Sequence, residues 1–127
     1  MPITYEVDES LNVIFETWEG TITARDLDMY WREYLADQKV LSCRRTLVDV
    51  RKSNITFTGD QFHQLIASVA VPMLGEKKWC TAILVGLPVQ FGVARQYQVF
   101  ADIYSSDSIF DNKDRAIDWL LKQNPEL

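Results

Sequence analysis

The chain has 127 residues, of which 47% are hydrophobic and 24% charged, and its net charge is −5. This composition is that of an ordinary soluble globular protein, and the length predicts a single domain over residues 1–127. The negative charge argues against nucleic-acid binding, which needs clustered cations. No apolar run approaches the ~20 residues of a membrane-spanning helix, and the N-terminus lacks a secretory signal pattern.

Cysteine usage bounds the compartment and the metal chemistry. The two cysteines, Cys43 and Cys80, form neither a CxxC motif nor a four-ligand metal cluster. Cys80 lies inside an apolar run, which is typical of a small buried hydrophobe. Reduced thiols without a secretory signal predict a cytoplasmic protein. Neither a metal nor a cofactor is predicted.

The N-terminal third predicts a β-hairpin followed by a helix. Residues 2–7 and 11–18 both have strand character and flank a short polar turn. Thr23 followed by Asp26 resembles a capping box, which opens the first helix. Its broad apolar stripe is rich in aromatic residues and consists of Leu27, Tyr30, Trp31, Tyr34 and Leu35.

The middle of the chain predicts a strand, a polar loop and a second helix. Residues 45–50 form an apolar strand core, and we expect a loop over residues 50–59. Thr58 and Gln61 then have the spacing of another capping box. Pro72 and Gly75 are expected to end this helix, Pro72 because proline lacks the N–H that helix bonding needs.

The C-terminal half continues the alternation of strands and helices. Residues 79–85 are almost all apolar, which predicts a central strand buried on both faces. Pro88 suits the first turn of a third helix. Residues 108–110 predict a last strand, before a helix capped by Asp111. This order predicts an α/β fold with a mainly parallel sheet, an antiparallel N-terminal hairpin and about four helices.

Aromatic residues on the first and third helices have more than one interpretation. They are Trp31, Tyr97, Phe100 and Tyr104. The three interpretations are that these side chains cover the sheet, that they pack on another subunit, or that they line an apolar pocket. Tyrosine and tryptophan are enriched at interfaces because each combines a large apolar area with one polar tip. A homodimer is therefore predicted, and the pocket stays open as an alternative.

The end of the third strand is the expected binding position. Asp49 closes its apolar core, and in α/β folds ligands bind just past the carboxyl ends of strands. The candidate residues that follow it are Arg51, Ser53, Thr58 and Gly59. They do not form a complete catalytic set. The sequence therefore predicts a binding loop at residues 50–59.

One histidine, His63, begins the second helix and is the remaining catalytic candidate. As a general base it would need a substrate or nucleophile within hydrogen-bond reach and an orienting acid. Asp49 or Asp60 would supply that acid, but no spacing motif joins these residues to His63. A non-enzymatic protein is therefore predicted.

In order and spacing, the chain resembles the SpoIIAA-like group of small bacterial domains, which are related in fold to STAS domains. The matching segments are residues 20–23, 46–51, 94–95, 109–111 and 116–120. The resemblance implies a sheet of four or five strands flanked by helices, without an assigned activity. The fold is also compared with CRAL-TRIO lipid-binding domains, which implies an apolar ligand as an alternative.

In STAS anti-sigma-factor antagonists, a strand acid leads to a turn with a phosphorylated serine. Asp49 matches that acid and Thr58–Gly59 lies near the turn, whereas the serine pair is missing. The leading hypothesis is a non-catalytic regulatory or binding module that contacts a protein or small ligand through loop 50–59. The alternatives are a carrier of a small apolar or lipid-like ligand and, third, a hydrolytic enzyme that uses His63.

Overall fold

The computed structural model describes residues 2–125. In this part of the chain, five strands form one sheet in the order β1-β2-β3-β4-β5. The strands are β1 (Ile3–Asp8), β2 (Val13–Ile22), β3 (Arg45–Ile55), β4 (Trp79–Leu84) and β5 (Ser105–Phe110). β1 is antiparallel to β2, and all other neighbours are parallel. The predicted α/β sheet with its antiparallel N-terminal hairpin is confirmed.

Helices connect the parallel strands and cover both faces of the sheet. They are α1 (Ala24–Tyr34), α2 (Gln38–Cys43), α3 (Gly59–Leu65), α4 (Val71–Leu74), α5 (Pro88–Phe100) and α6 (Lys113–Leu121). A π-helical turn, Ile66–Ala70, joins α3 to α4. Because the crossovers advance in one direction and are right-handed by rule, α1, α3 and α5 share one face. α6 packs on the other face against β3, β4 and β5.

Each sheet face has its own hydrophobic core. The larger core lies under α1, α3 and α5 and includes Trp18, Leu27 and Ile83. The smaller core lies under α6, where Leu120 packs with Leu47 and other residues of the opposite sheet face. Every residue of β4 is buried, as predicted for a central strand.

The prediction of a loop over residues 50–59 is wrong for most of that range. β3 continues to Ile55 because it keeps pairing with β2 as far as Ile22. Its pairing with β4, by contrast, ends at Asp49. Beyond that point β3 pairs on one edge only; within this regular strand Arg51, Lys52 and Asn54 are exposed, whereas Ser53 is buried. The loop is reduced to residues 56–58.

Helix ends agree with the sequence in part. The capping boxes at Thr23 and Thr58 are both present, as predicted. Pro72, however, does not end its helix, which runs to Leu74 and is capped by Gly75, the other residue predicted to end it. The π-helical turn directly before α4 changes the hydrogen-bond register, so the helix continues through the proline. Asn112, not Asp111, caps α6, because the Asn112 side chain accepts a hydrogen bond from the amide of Arg115.

Candidate functional site

Asp49 and Arg51 form an ion pair at the end of the apolar part of β3. Arg51 Nη2 lies 2.9 Å from Asp49 Oδ2, and Arg51 Nε lies 3.0 Å from Asp49 Oδ1. Although partial burial opposes it, these hydrogen bonds lower the pKa of the Asp49 carboxyl. Asp49, which had no partner in the sequence analysis, is thus held by its own strand.

The hydroxyl groups predicted for this loop are engaged in local structure. Ser53 is buried, and its hydroxyl donates to the carbonyl oxygen of Val50 at 2.7 Å. Thr58 Oγ1 accepts a hydrogen bond from the amide of Gln61 at 3.1 Å. Gly59 faces α5, where an added Cβ would come within 2.9 Å of the Gln96 side chain. The structure therefore joins Asp49 to Arg51 and gives the other candidates separate structural contacts.

Gln90 occupies the crevice at the carboxyl ends of β3 and β4. Its side-chain Nε2 donates to the carbonyl oxygens of Arg51 and Ser53, both at 3.2 Å. Its Oε1 accepts from the amides of Gly86 at 2.9 Å and Leu87 at 3.0 Å. Gln90 is only 1% exposed, so the usual ligand position of an α/β sheet is filled from inside. Gln90 lies three residues after the N-cap residue Leu87, a spacing at which a glutamine side chain can accept a hydrogen bond from the N-cap amide, so this spacing is the sequence signal for its role.

A cavity of about 70 Å³ lies between the sheet and α1, α3 and α5. Three of the four aromatic residues proposed for a pocket line it, namely Trp31, Tyr97 and Tyr104. Phe100 instead packs beside it, in edge contact with Phe62. The further aromatic lining residues are Trp18, Tyr34, Phe62 and Trp79. Trp31 and Tyr104 are buried, so both side chains pack within the protein's own core.

Glu16, on β2, is the acid of this cavity and was missed by sequence reasoning. It is 4% exposed, and its carboxylate accepts hydrogen bonds from Trp18 Nε1 and the Tyr30 hydroxyl, each at 2.7 Å. Burial raises the pKa of Glu16 to about 7, against the lowering effect of these two hydrogen bonds. No lysine, arginine or histidine lines the cavity among residues 2–125.

Polar side chains also lie side by side on β3, β4 and β5, on the sheet face that the helices cover. Thr46 on β3 shares a hydrogen bond of 2.6 Å with the Tyr34 hydroxyl and accepts one of 2.9 Å from Trp79 Nε1. Thr46 is in register with Thr81 on β4, which is in register with Asp107 on β5. The sheet face beneath the helices therefore has a polar row within an aromatic surround.

Asp107 is a second acid at the β5 end of this row. Burial raises its pKa to about 7, although the hydrogen bond from the Ser105 hydroxyl lowers it. Asp107 Oδ2 is shielded from solvent and has no hydrogen-bond partner in the part of the chain described. Asp107 does not line the cavity, so a variant of Asp107 is a control for a variant of Glu16.

His63, the catalytic candidate of the sequence analysis, packs on an aromatic side chain of α5. It is exposed, and its ring packs on Phe100 with the ring centroids 4.8 Å apart.

Within residues 2–125, no group of three or more histidine, cysteine or acidic residues is placed to hold a metal ion. No described helix has the length and apolar character needed to cross a membrane.

Comparison with known proteins bears on the fold. Neither a protein-family model nor a curated protein matches the chain. Among solved structures, the chain is similar to an uncharacterised protein from the DUF3478 family with a SpoIIAA-like fold, from Shewanella loihica PV-4. The two share 18% sequence identity over 93% of each chain, with a TM-score of 0.64. This protein therefore has the SpoIIAA-like α/β fold that its sequence predicted.

Proposed function

We propose that this protein is a non-catalytic binding module that holds a small ligand in the cavity between the sheet and α1, α3 and α5. The observation that carries the proposal is an aromatic cavity with one buried carboxyl group, Glu16, in its lining. Binding pockets typically combine apolar walls with a few polar groups that orient the ligand. This proposal corresponds to the small-ligand carrier of the sequence analysis.

The surface loop around Asp49 receives less support as a ligand site. Asp49 is paired with Arg51, and the hydroxyls of Ser53 and Thr58 already form internal hydrogen bonds. Gln90 fills the adjacent crevice. A ligand there would have to displace these bonds, whereas the cavity has unfilled space.

The cavity volume limits the size of the ligand. At about 70 Å³, it is smaller than the engineered apolar cavity of roughly 150 Å³ that accommodates benzene. Without movement of the helices, it therefore suits a molecule with on the order of four non-hydrogen atoms. Ala70, in the π-helical turn, belongs to the lining. Because π-helical turns are frequent at functional sites, we propose this turn as the place where the cavity opens.

Native mass spectrometry of the protein purified from its own cell tests this proposal. Ala94 is 3% exposed and lines the cavity, so Ala94→Leu fills part of its volume. Ala36, which is exposed in the turn after α1 and does not line the cavity, gives a matched control as Ala36→Leu. We expect wild type and Ala36→Leu to retain a bound small molecule and Ala94→Leu to lose it. An empty wild-type protein, or retention by Ala94→Leu, contradicts the proposal.

A homodimer formed through α5 is a second, independent proposal. Exposed apolar side chains in and next to this helix support it, namely Leu87, Val89, Phe91, Val99 and Ile103. Light scattering after size-exclusion chromatography gives the mass directly, and Val99→Glu is expected to convert a dimer into a monomer. A monomeric wild type rejects this proposal.

A cytoplasmic location is likewise proposed. It is supported by Cys43 and Cys80, which are free thiols and form no disulfide.

A further inference from the structure

The carboxylate of Glu16 lacks a compensating positive charge. Its two hydrogen-bond donors, Trp18 and Tyr30, are both neutral groups. Removing an ionised carboxylate from water costs several kcal/mol unless an opposite charge accompanies it. No cationic side chain lines the cavity in the described part of the chain. The balancing charge must therefore arrive as a proton or with a ligand.

Aromatic rings surround the same space. Trp31 and Phe62 stack with their centroids 6.2 Å apart, and Phe62 stacks with Tyr97 at 5.9 Å. Trp18 and Trp79 complete the wall on the sheet side. The faces of aromatic rings attract cations because the π-electrons give these faces a partial negative charge. A cation that lies over the face of one of these rings is therefore stabilised by the ring as well as by Glu16.

Other ligand classes fit this lining less well. An anion would meet Glu16 without any cationic side chain in the lining to balance its charge. A neutral apolar molecule would leave the Glu16 carboxylate unpaired. We propose that the cavity ligand is a small organic cation, a protonated or methylated amine with on the order of four non-hydrogen atoms, whose charge is balanced by Glu16. This inference rests on the proposed function and adds the chemical class of its ligand.

The titratable groups that face Glu16 are phenols. Tyr30 and Tyr34 approach from α1, and Tyr5 approaches from β1 through its ring contacts with both. Burial raises the pKa of each of these three phenols above its ordinary value. They therefore stay neutral between pH 5 and pH 9, and Glu16 is the group in this cluster that changes charge. Amine binding must then strengthen as rising pH ionises Glu16.

The test compares isopropylammonium with isopropanol, which have the same carbon skeleton and differ in charge. Each is titrated at pH 8 into wild type and Glu16→Gln, with affinity measured by NMR. In wild type, we expect the ammonium ion to bind about tenfold or more tightly than the alcohol. Glu16→Gln should lose this preference and still bind the alcohol. Asp107→Asn, which changes a buried acid outside the lining, should retain the preference.

Several results overturn the inference. Equal affinity of wild type for both probes, retention of the preference by Glu16→Gln, or no binding of either probe would each reject the organic cation. The proposed function falls only if native mass spectrometry also finds an empty cavity. If Glu16→Gln does not fold, titration of wild type from pH 5.5 to pH 8 tests the same charge dependence. The affinity for isopropylammonium must rise over that range, and a flat profile rejects the inference.

Discussion

Replacing Glu16 by glutamine removes a buried charge while keeping nearly the same side-chain shape. The amide oxygen still accepts a hydrogen bond from Trp18, and the amide nitrogen donates to the oxygen of Tyr30 in place of the present bond. Effects on packing should therefore be small and independent of pH. What changes is the penalty for ionising this group in the folded state, and this penalty makes stability depend on pH.

The magnitude follows from the pKa of the carboxyl. Burial raises this pKa from the ordinary value of 4.5 to about 7 in the folded protein. Below pH 4.5 the group is protonated in both states and carries no penalty. As pH rises from 4.5 to 7, the unfolded chain loses the proton while the folded protein keeps it, and above pH 7 the folded protein ionises Glu16 in a buried site. Wild type therefore loses stability over this range by about 3 kcal/mol, which Glu16→Gln does not lose.

Urea denaturation of both proteins between pH 4.5 and pH 8.5 measures this effect. The informative quantity is the unfolding free energy of Glu16→Gln minus that of wild type, since the contributions of other groups, such as Asp107, cancel in the difference. We expect this difference to increase with pH and to level off above pH 8. A difference that stays constant across the range would refute the assignment of a buried, uncompensated carboxyl to Glu16.

Four further variants, one of them a control, test the fold and the surface site. Leu120→Ala opens a cavity under α6 and should destabilise the protein by about 2–5 kcal/mol, whereas Leu121→Ala, at a side chain 43% exposed, should change stability by less than about 0.5 kcal/mol. Thr58→Ala removes the α3 cap and should cost about 1 kcal/mol by urea denaturation. Asp49→Asn breaks the exposed pair with Arg51, so we expect a loss of at most about 1 kcal/mol and unchanged isopropylammonium affinity. Equal effects at Leu120 and Leu121, a neutral Thr58→Ala, or weaker amine binding in Asp49→Asn would contradict these expectations.

Much of the fold could be predicted from the sequence because its signals are local. The capping boxes at Thr23 and Thr58 depend on residues three positions apart, and both are present in the structure. The end of β3 depends instead on pairing with a distant strand. Residues 51–55 look like a loop because they are mostly polar, and β2 nevertheless holds them in the sheet.

The candidate site was harder to predict for the same reason. Alternation along β2 places Glu16 on the same strand face as Ile14, but it does not show that helices bury this face. That burial arises when α1 and α3 pack over the sheet, which joins Glu16 to Tyr30 across 14 residues of sequence. By contrast, Asp49 was predicted as a binding residue because it is an acid at a strand end. Its partner, Arg51, lies only two residues further along the chain.

The central claim is that the ligand site is the aromatic cavity and not the end of β3. The chain has four tryptophans. Trp18, Trp31 and Trp79 line the cavity, whereas Trp119 packs against Phe110 on the opposite face of the sheet. The most direct measurement is therefore NMR of the four indole N–H groups during titration with isopropylammonium at pH 8. We predict saturable shifts at the three cavity tryptophans and none at Trp119; shifts confined to Trp119 or to the backbone amides at the end of β3, or no shifts at all, would contradict the claim.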